Sequence, residues 1–130
     1  MNFEPLLSAA WQVRENAYAP YSGFPVGAAV LDEDGRIFTG CNVENISFGL
    51  TLCAERVAVF AAVAAGARRF KALAVVSDSR QPISPCGACR QVLAEFCETL
   101  PICTANRAGQ QFEACLSHLL PRARAGILGT

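Results

Sequence analysis

PCGACRQ, residues 85–91, sets Cys86 and Cys89 three apart just where a helical pattern begins and runs to about Cys97. Two thiols at that spacing serve a metal, a disulfide or a redox couple. The chain has seven cysteines, an odd number. Its opening, MNFEPLLSAAWQVRENAYAP, has no basic start, no long apolar stretch and no cleavage site, so it reads as an amphipathic helix rather than an export signal. A disulfide framework is therefore not expected, and reduced thiols in the cytoplasm are. That leaves metal binding, catalysis or packing.

A metal on Cys86 and Cys89 needs further ligands. The best third donor is Cys53 in TLCAER, which also stands at a helix start. No fourth is evident. His118, the sole histidine, lies far off near the tail, and Cys97 is eight residues past Cys89, about 12 Å along the helix. Structural zinc is normally closed by four protein ligands, whereas catalytic zinc leaves one position for water. Glu55 follows Cys53 by two residues, a turn of about 200° in a helix, so both reach one ion only at the helix mouth. There the carboxylate could lie beside metal-bound water without being a ligand. Three thiolates on a divalent ion are formally negative, a poor setting for ionising water. Two helix N-termini oppose that charge, and Arg56 and Arg90, each directly after a motif residue, are candidates to hydrogen-bond the sulfurs.

Around these motifs the pattern reads α-β-β-α-β-α-β-β. A helical stripe through Leu6, Leu7, Ala10 and Trp11 stops before Pro20. Strands are expected at about Val26–Leu31 and Arg36–Cys41 around the turn signal Asp34-Gly35. A buried Ala-rich helix follows Cys53 and ends at Gly66. KALAVVSD is a nearly continuous apolar strand, and PICTAN and QFEAC flank a turn. The tail LSHLLPRARAGILGT holds one helical turn. One domain over residues 1–130 is expected, flexible after about 121, with a central sheet covered by helices. Cys41, Cys97, Cys103, Cys115 and Trp11 read as core, and His118, Arg122 and Arg124 as solvated.

Acidic and basic residues balance at 11 each, and the arginines are scattered. That argues against a nucleic-acid partner, and no apolar run reaches membrane-spanning length.

The combination YAPYSGFPVGAAV (18–30), GCNVEN (40–45), CAER (53–56) and SPCGACRQV (84–92) resembles the small zinc-dependent cytidine deaminases of the nucleoside type, in order and spacing, over roughly residues 10–120. The resemblance implies an α/β fold, a three-layer α/β/α sandwich with a central mixed five-stranded sheet. It implies one Zn²⁺ per chain on Cys53, Cys86 and Cys89, with Glu55 as proton shuttle. It implies that Phe24 packs on the base, that Asn42 and Glu44 hold the ribose 3′-hydroxyl, and that backbone at Ala54 and Cys86 fixes the pyrimidine. Phe48, Arg56, Arg90 and Gln91 are expected as supporting residues. The implied reaction converts cytidine and deoxycytidine to uridine and deoxyuridine with release of ammonia, a step of pyrimidine salvage. The implied assembly is a homotetramer with shared active sites. Glu44 would repel a phosphate, so free nucleosides are the expected substrates.

Two positions depart from the family pattern. Phe48 stands where a Tyr is common, and Arg124 stands where a C-terminal Phe is usual. An alternative is a deaminase of a modified cytosine nucleoside such as blasticidin S, whose enzymes share the zinc core and a GRIFTG-like segment. A catalytically inactive zinc-binding relative is the other alternative.

Overall fold

The computed structural model describes residues 1–130. Five strands form one mixed sheet in the order β2-β1-β3-β4-β5. They are β1 (Val26–Asp32), β2 (Ile37–Cys41), β3 (Phe70–Ser77), β4 (Pro101–Ala105) and β5 (Gln111–Cys115). The helices are α1 (Glu4–Arg14), α2 (Ala54–Ala64), α3 (Gly87–Phe96) and the single turn α4 (Leu116–Leu119). β1 is antiparallel to both β2 and β3, and β3 is parallel to β4. A parallel pair cannot be closed by a hairpin; α3 makes the crossover.

Alternation along the strands divides the interior in two. Ala28, Val30, Leu73, Val75 and Ile102 meet α2 and α3 on one face. Ala29, Ala72, Ala74, Val76 and Cys103 meet Leu6, Leu7 and Ala10 of α1 on the other. The expected three layers are thus present. Burial of each large aliphatic side chain contributes about 1.5–3 kcal/mol, so Leu73 and Val75, both fully buried, anchor the α2–α3 side.

Two glycines set the seating and the end of α2. A Cβ on Gly40 of β2 would lie 2.3 Å from the Ala58 nitrogen and 2.6 Å from the Ala54 carbonyl oxygen, so α2 rests directly on that strand's backbone. Gly66 ends the helix with φ +100°. The Gly66 N–H donates to Val63 O and the Ala67 N–H to Ala62 O, capping the last carbonyls.

Helix α1 stops at Arg14, earlier than its stripe suggests. The chain is drawn away because Tyr18 pairs with the loop after β2: its N–H donates to Asn42 O, and its carbonyl accepts from the Glu44 N–H. Trp11 is half-buried rather than core, held between the guanidinium groups of Arg14 and Arg107 at 5.6 and 4.5 Å. Cys103 is fully buried as expected, whereas Cys41, Cys97 and Cys115 are half-buried.

The pairings bring the start of β1 and the last residues of β2, β3 and β4 to one end of the sheet. The loops leaving that end carry the motifs.

Candidate metal centre and nucleoside pocket

Cys53 and Cys86 occupy the N-cap positions of α2 and α3, both in extended backbone conformation, and neither sulfur caps its helix. Ser, Thr, Asp or Asn would stabilise a helix start better. Here the side chains are left for something else. Cys89 sits one turn into α3 and is fully buried.

The three sulfurs converge. Cys53 Sγ lies 3.8 Å from Cys86 Sγ, and Cys86 Sγ lies 3.5 Å from Cys89 Sγ. All three fall within 4.8 Å of one another. A disulfide needs about 2.05 Å, so these are free thiols. Tetrahedral zinc with sulfurs at about 2.3 Å would space them about 3.8 Å apart, close to the separations already present.

Charge is managed locally. The neighbouring Cys89 thiol and, after it, Arg56 hold the Cys53 thiol well below its usual range against burial. Cys89 is pushed up in turn, by the Cys53 sulfur beside it and by burial. The Arg56 guanidinium reaches Cys53 Sγ at 3.5 Å and the Thr51 carbonyl at 3.4 Å, and its Nε is buried without a partner. Arg90 does not reach the sulfurs. Its three guanidinium nitrogens donate to Pro85 O (2.7 Å), Leu119 O (2.8 Å) and Ser84 Oγ (3.0 Å), so it clamps the loop ahead of Cys86. Gln91 donates to Ala123 O and ties the same helix to the C-terminal segment.

Glu55, in the first turn of α2, is only 4% exposed. Burial pushes its pKa up to about 7; its own backbone N–H opposes the shift, and charge on Cys53 adds to it. A carboxyl group poised there can both accept and return a proton near neutral pH.

Beside the sulfurs lies a cavity of about 280 Å³ lined by Phe24, Asn42, Glu44, Ala54 and Glu55, among others. Asn42 is clasped by the segment entering β1: its Oδ1 accepts from Val26 N–H at 2.9 Å and its Nδ2 donates to Phe24 O at 3.0 Å. One amide N–H and one lone pair remain. Glu44 Oε1 accepts from the N–H groups of Tyr21 (2.9 Å) and Ser22 (3.0 Å), and Oε2 accepts from the Ser22 hydroxyl. The Ser22 hydroxyl is the leading cause holding the Glu44 carboxyl below the usual range. Phe48 stands just outside, edge-on to Tyr21 at 5.9 Å, on the rim of an adjoining 390 Å³ hollow that shares Ser22, Glu44 and Thr51.

Every site residue expected from sequence therefore lies in or beside one pocket, except Arg90 and Gln91, which tie α3 to the loop ahead of Cys86 and to the C-terminal segment. Arg124 is half-buried beside Glu98 and the C-terminal Thr130, outside the pocket lining. His118 is exposed on α4. Sequence reading passed over Ser22, Thr51 and Ser84, because hydroxyl residues at loop positions carry no spacing signal. No helix is long and apolar enough to cross a membrane.

Comparison with known proteins agrees with this geometry. The profile of the cytidine and deoxycytidylate deaminase zinc-binding region matches residues 2–104. A cytidine deaminase from Sporosarcina psychrophila is 54% identical over 124 residues, 95% of this chain and 91% of that one. One from Halalkalibacterium halodurans is 49% identical, covering 95% and 94%. The crystal structure of cytidine deaminase from Burkholderia pseudomallei superposes with a TM-score of 0.89 at 51% identity, covering 93% of this chain and 98% of that one.

Proposed function

The chain belongs to the cytidine deaminase family, as a zinc-dependent hydrolase that deaminates cytidine, and from that premise we propose how its residues divide the work. Cys53, Cys86 and Cys89 would hold the zinc. When bound, the metal would supply a Lewis acid that lowers the pKa of water. Glu55 takes the proton that water gives up and delivers it to ring N3 of cytosine, which makes C4 electrophilic. Once the hydroxyl is attached at C4, Glu55 takes its remaining proton and passes it to the amino group, so that the C4 carbonyl forms as the C4–N bond breaks and ammonia leaves. The sum is cytidine and water to uridine and ammonia.

The remaining residues orient and exclude. Phe24 packs on the base, and backbone at Ala54 and Cys86 fixes the pyrimidine at the two helix mouths. The free N–H of Asn42 and the last lone pair of Glu44 take the ribose 3′-hydroxyl. Arg56 offsets the negative charge of the three thiolates. Phe48 closes the rim, and Arg90 and Gln91 hold α3 in place. Glu44, kept ionised, would repel a phosphate, so the substrates are free cytidine and deoxycytidine rather than nucleotides or polymers. The observation that carries this reading is three free thiols at metal-binding distance beside a buried carboxyl group, on the wall of one cavity.

Assembly as a homotetramer with shared sites is supported by the loop after β2, where Ile46, Phe48 and Leu50 are exposed at 80, 73 and 68%. Seven cysteines without a disulfide in one folded unit of residues 1–130 support a cytoplasmic location, and the conversion of cytidine to uridine is itself a step of pyrimidine salvage. The test is a single preparation assayed on cytidine, deoxycytidine, cytidine monophosphate and blasticidin S, with and without a zinc chelator, and sized by light scattering. Chelator-sensitive turnover of the two free nucleosides by a four-chain particle is expected. Faster deamination of the monophosphate or of blasticidin S, or turnover by a monomer, would contradict the corresponding assignment.

A further inference from the structure

We infer that Ser22 is a positioning residue for nucleoside recognition: its hydroxyl, itself oriented by the Phe24 N–H, fixes the Glu44 carboxylate and so pre-sets the sugar wall of the pocket. The inference rests on the reading that Glu44 takes a sugar hydroxyl.

The geometry is specific. Ser22 Oγ donates to Glu44 Oε2 and accepts from the Phe24 N–H at 3.0 Å. Its own N–H, with that of Tyr21, fills Glu44 Oε1. A carboxylate offers about four acceptor sites, and three are now occupied. One remains on Oε2, aimed by Ser22 and able to take a single hydroxyl proton. A carboxylate already fixed in rotation loses little freedom when a ligand arrives, so the bond to the sugar is realised more fully. Asn42 binds the Phe24 carbonyl on the other side. Removing the Ser22 hydroxyl frees Oε2, and the Phe24 N–H, which is exposed, turns to water, while Cys53, Glu55, Cys86 and Cys89 stay untouched.

The experiment measures kcat and KM of the zinc-loaded protein on cytidine and 3′-deoxycytidine for Ser22→Ala, Ser22→Thr, Ser22→Cys, Glu44→Gln and the Ser22→Ala/Glu44→Gln pair, with zinc content as the check on folding. Ser22→Ala is expected to raise KM for cytidine about tenfold with kcat within about twofold, as for loss of one bond to a charged group. Ser22→Thr should restore KM to within about threefold of the parent. Ser22→Cys, a weaker donor of similar size, should fall between them. On 3′-deoxycytidine the Ser22→Ala effect should be under about twofold, and it should vanish in the Glu44→Gln background. If Glu44→Gln discriminates the two nucleosides but Ser22→Ala leaves KM unchanged, the inference fails and the role of Glu44 stands. A Ser22→Ala penalty that persists beside Glu44→Gln means that Ser22 acts independently of Glu44, which also overturns it. If Glu44→Gln affects both nucleosides equally, the reading of Glu44 fails first and takes the inference with it.

Discussion

The two ends of the sheet are built by opposite rules. At the end away from the pocket, the connections are short and self-satisfied. Asp32 ends β1 and accepts from the Asp34 N–H, the Arg36 N–H and the Arg36 guanidinium at 3.0, 2.8 and 2.7 Å. Gly66 closes α2 with both capping bonds made. At the pocket end, the helices begin on cysteines that cap nothing, and a carboxyl group with a raised pKa is buried beside them. Good local choices concentrate where nothing happens. They are given up where chemistry is needed, which is how a sequence with a single consistent fold marks its site.

Substitutions at the two ends should therefore separate activity from stability. Short of the proton-carrying carboxyl group itself, the largest effect is expected at Arg56. Arg56→Ala should lower zinc affinity or turnover about 10–100-fold while melting close to the parent protein, measured by metal titration and initial rates. Equal zinc retention and equal turnover would remove Arg56 from the account. Next come the two glycines. Gly40→Ala forces a methyl group into the α2 backbone and should cost about 1–3 kcal/mol. It should also depress turnover, because α2 carries Cys53 and Glu55. Gly66→Ala meets no atom within 4 Å and costs only its left-handed φ, about 1 kcal/mol, with kcat/KM unchanged. Urea melts paired with rates on cytidine distinguish them. If Gly66→Ala lowered turnover as much as Gly40→Ala, the division between the two ends would be wrong.

The smallest effect concerns Asp32. Burial pushes its carboxyl up, but the Arg36 and Asp34 donors outweigh burial and hold it below the usual carboxylate range. A depressed pKa in the folded state contributes stability above the unfolded value, and that contribution is lost as pH falls through the folded one. Asp32→Asn should thus be less stable than the parent at neutral pH, with the gap narrowing below about pH 4. Denaturant midpoints from pH 3 to 7 measure it, and turnover at pH 7 should not move. A gap that stayed constant with pH would refute the assignment.

The far end was also the more legible one. Asp34-Gly35 and Gly66 announce their turns, and the element order follows from period and punctuation that are local in sequence. Cys53, Cys86, Cys89 and Glu55 were legible for another reason: their types and spacing match the P-C-x-x-C and Cys-x-Glu motifs of zinc deaminases. What stayed hidden depends on partners far along the chain. Tyr18 leaves α1 early to pair with residues 42–44. Arg90 spends its donors on carbonyls of Pro85 and Leu119 rather than on the adjacent sulfurs, because backbone acceptors are identical at every position and leave no mark in a sequence. Ser22 escaped for the same reason, since its importance lies wholly in bonds to Glu44 and Phe24.

At the centre stands the claim that three sulfurs alone hold the zinc and that the buried carboxyl group of Glu55 moves protons without binding metal. Glu55→Gln, analysed for zinc per chain and for kcat on cytidine in the same sample, tests it most directly. Full zinc occupancy with kcat reduced about 10²–10⁴-fold is expected. Loss of zinc would make Glu55 a ligand, and full occupancy with parental kcat would leave the proposed mechanism without its proton carrier.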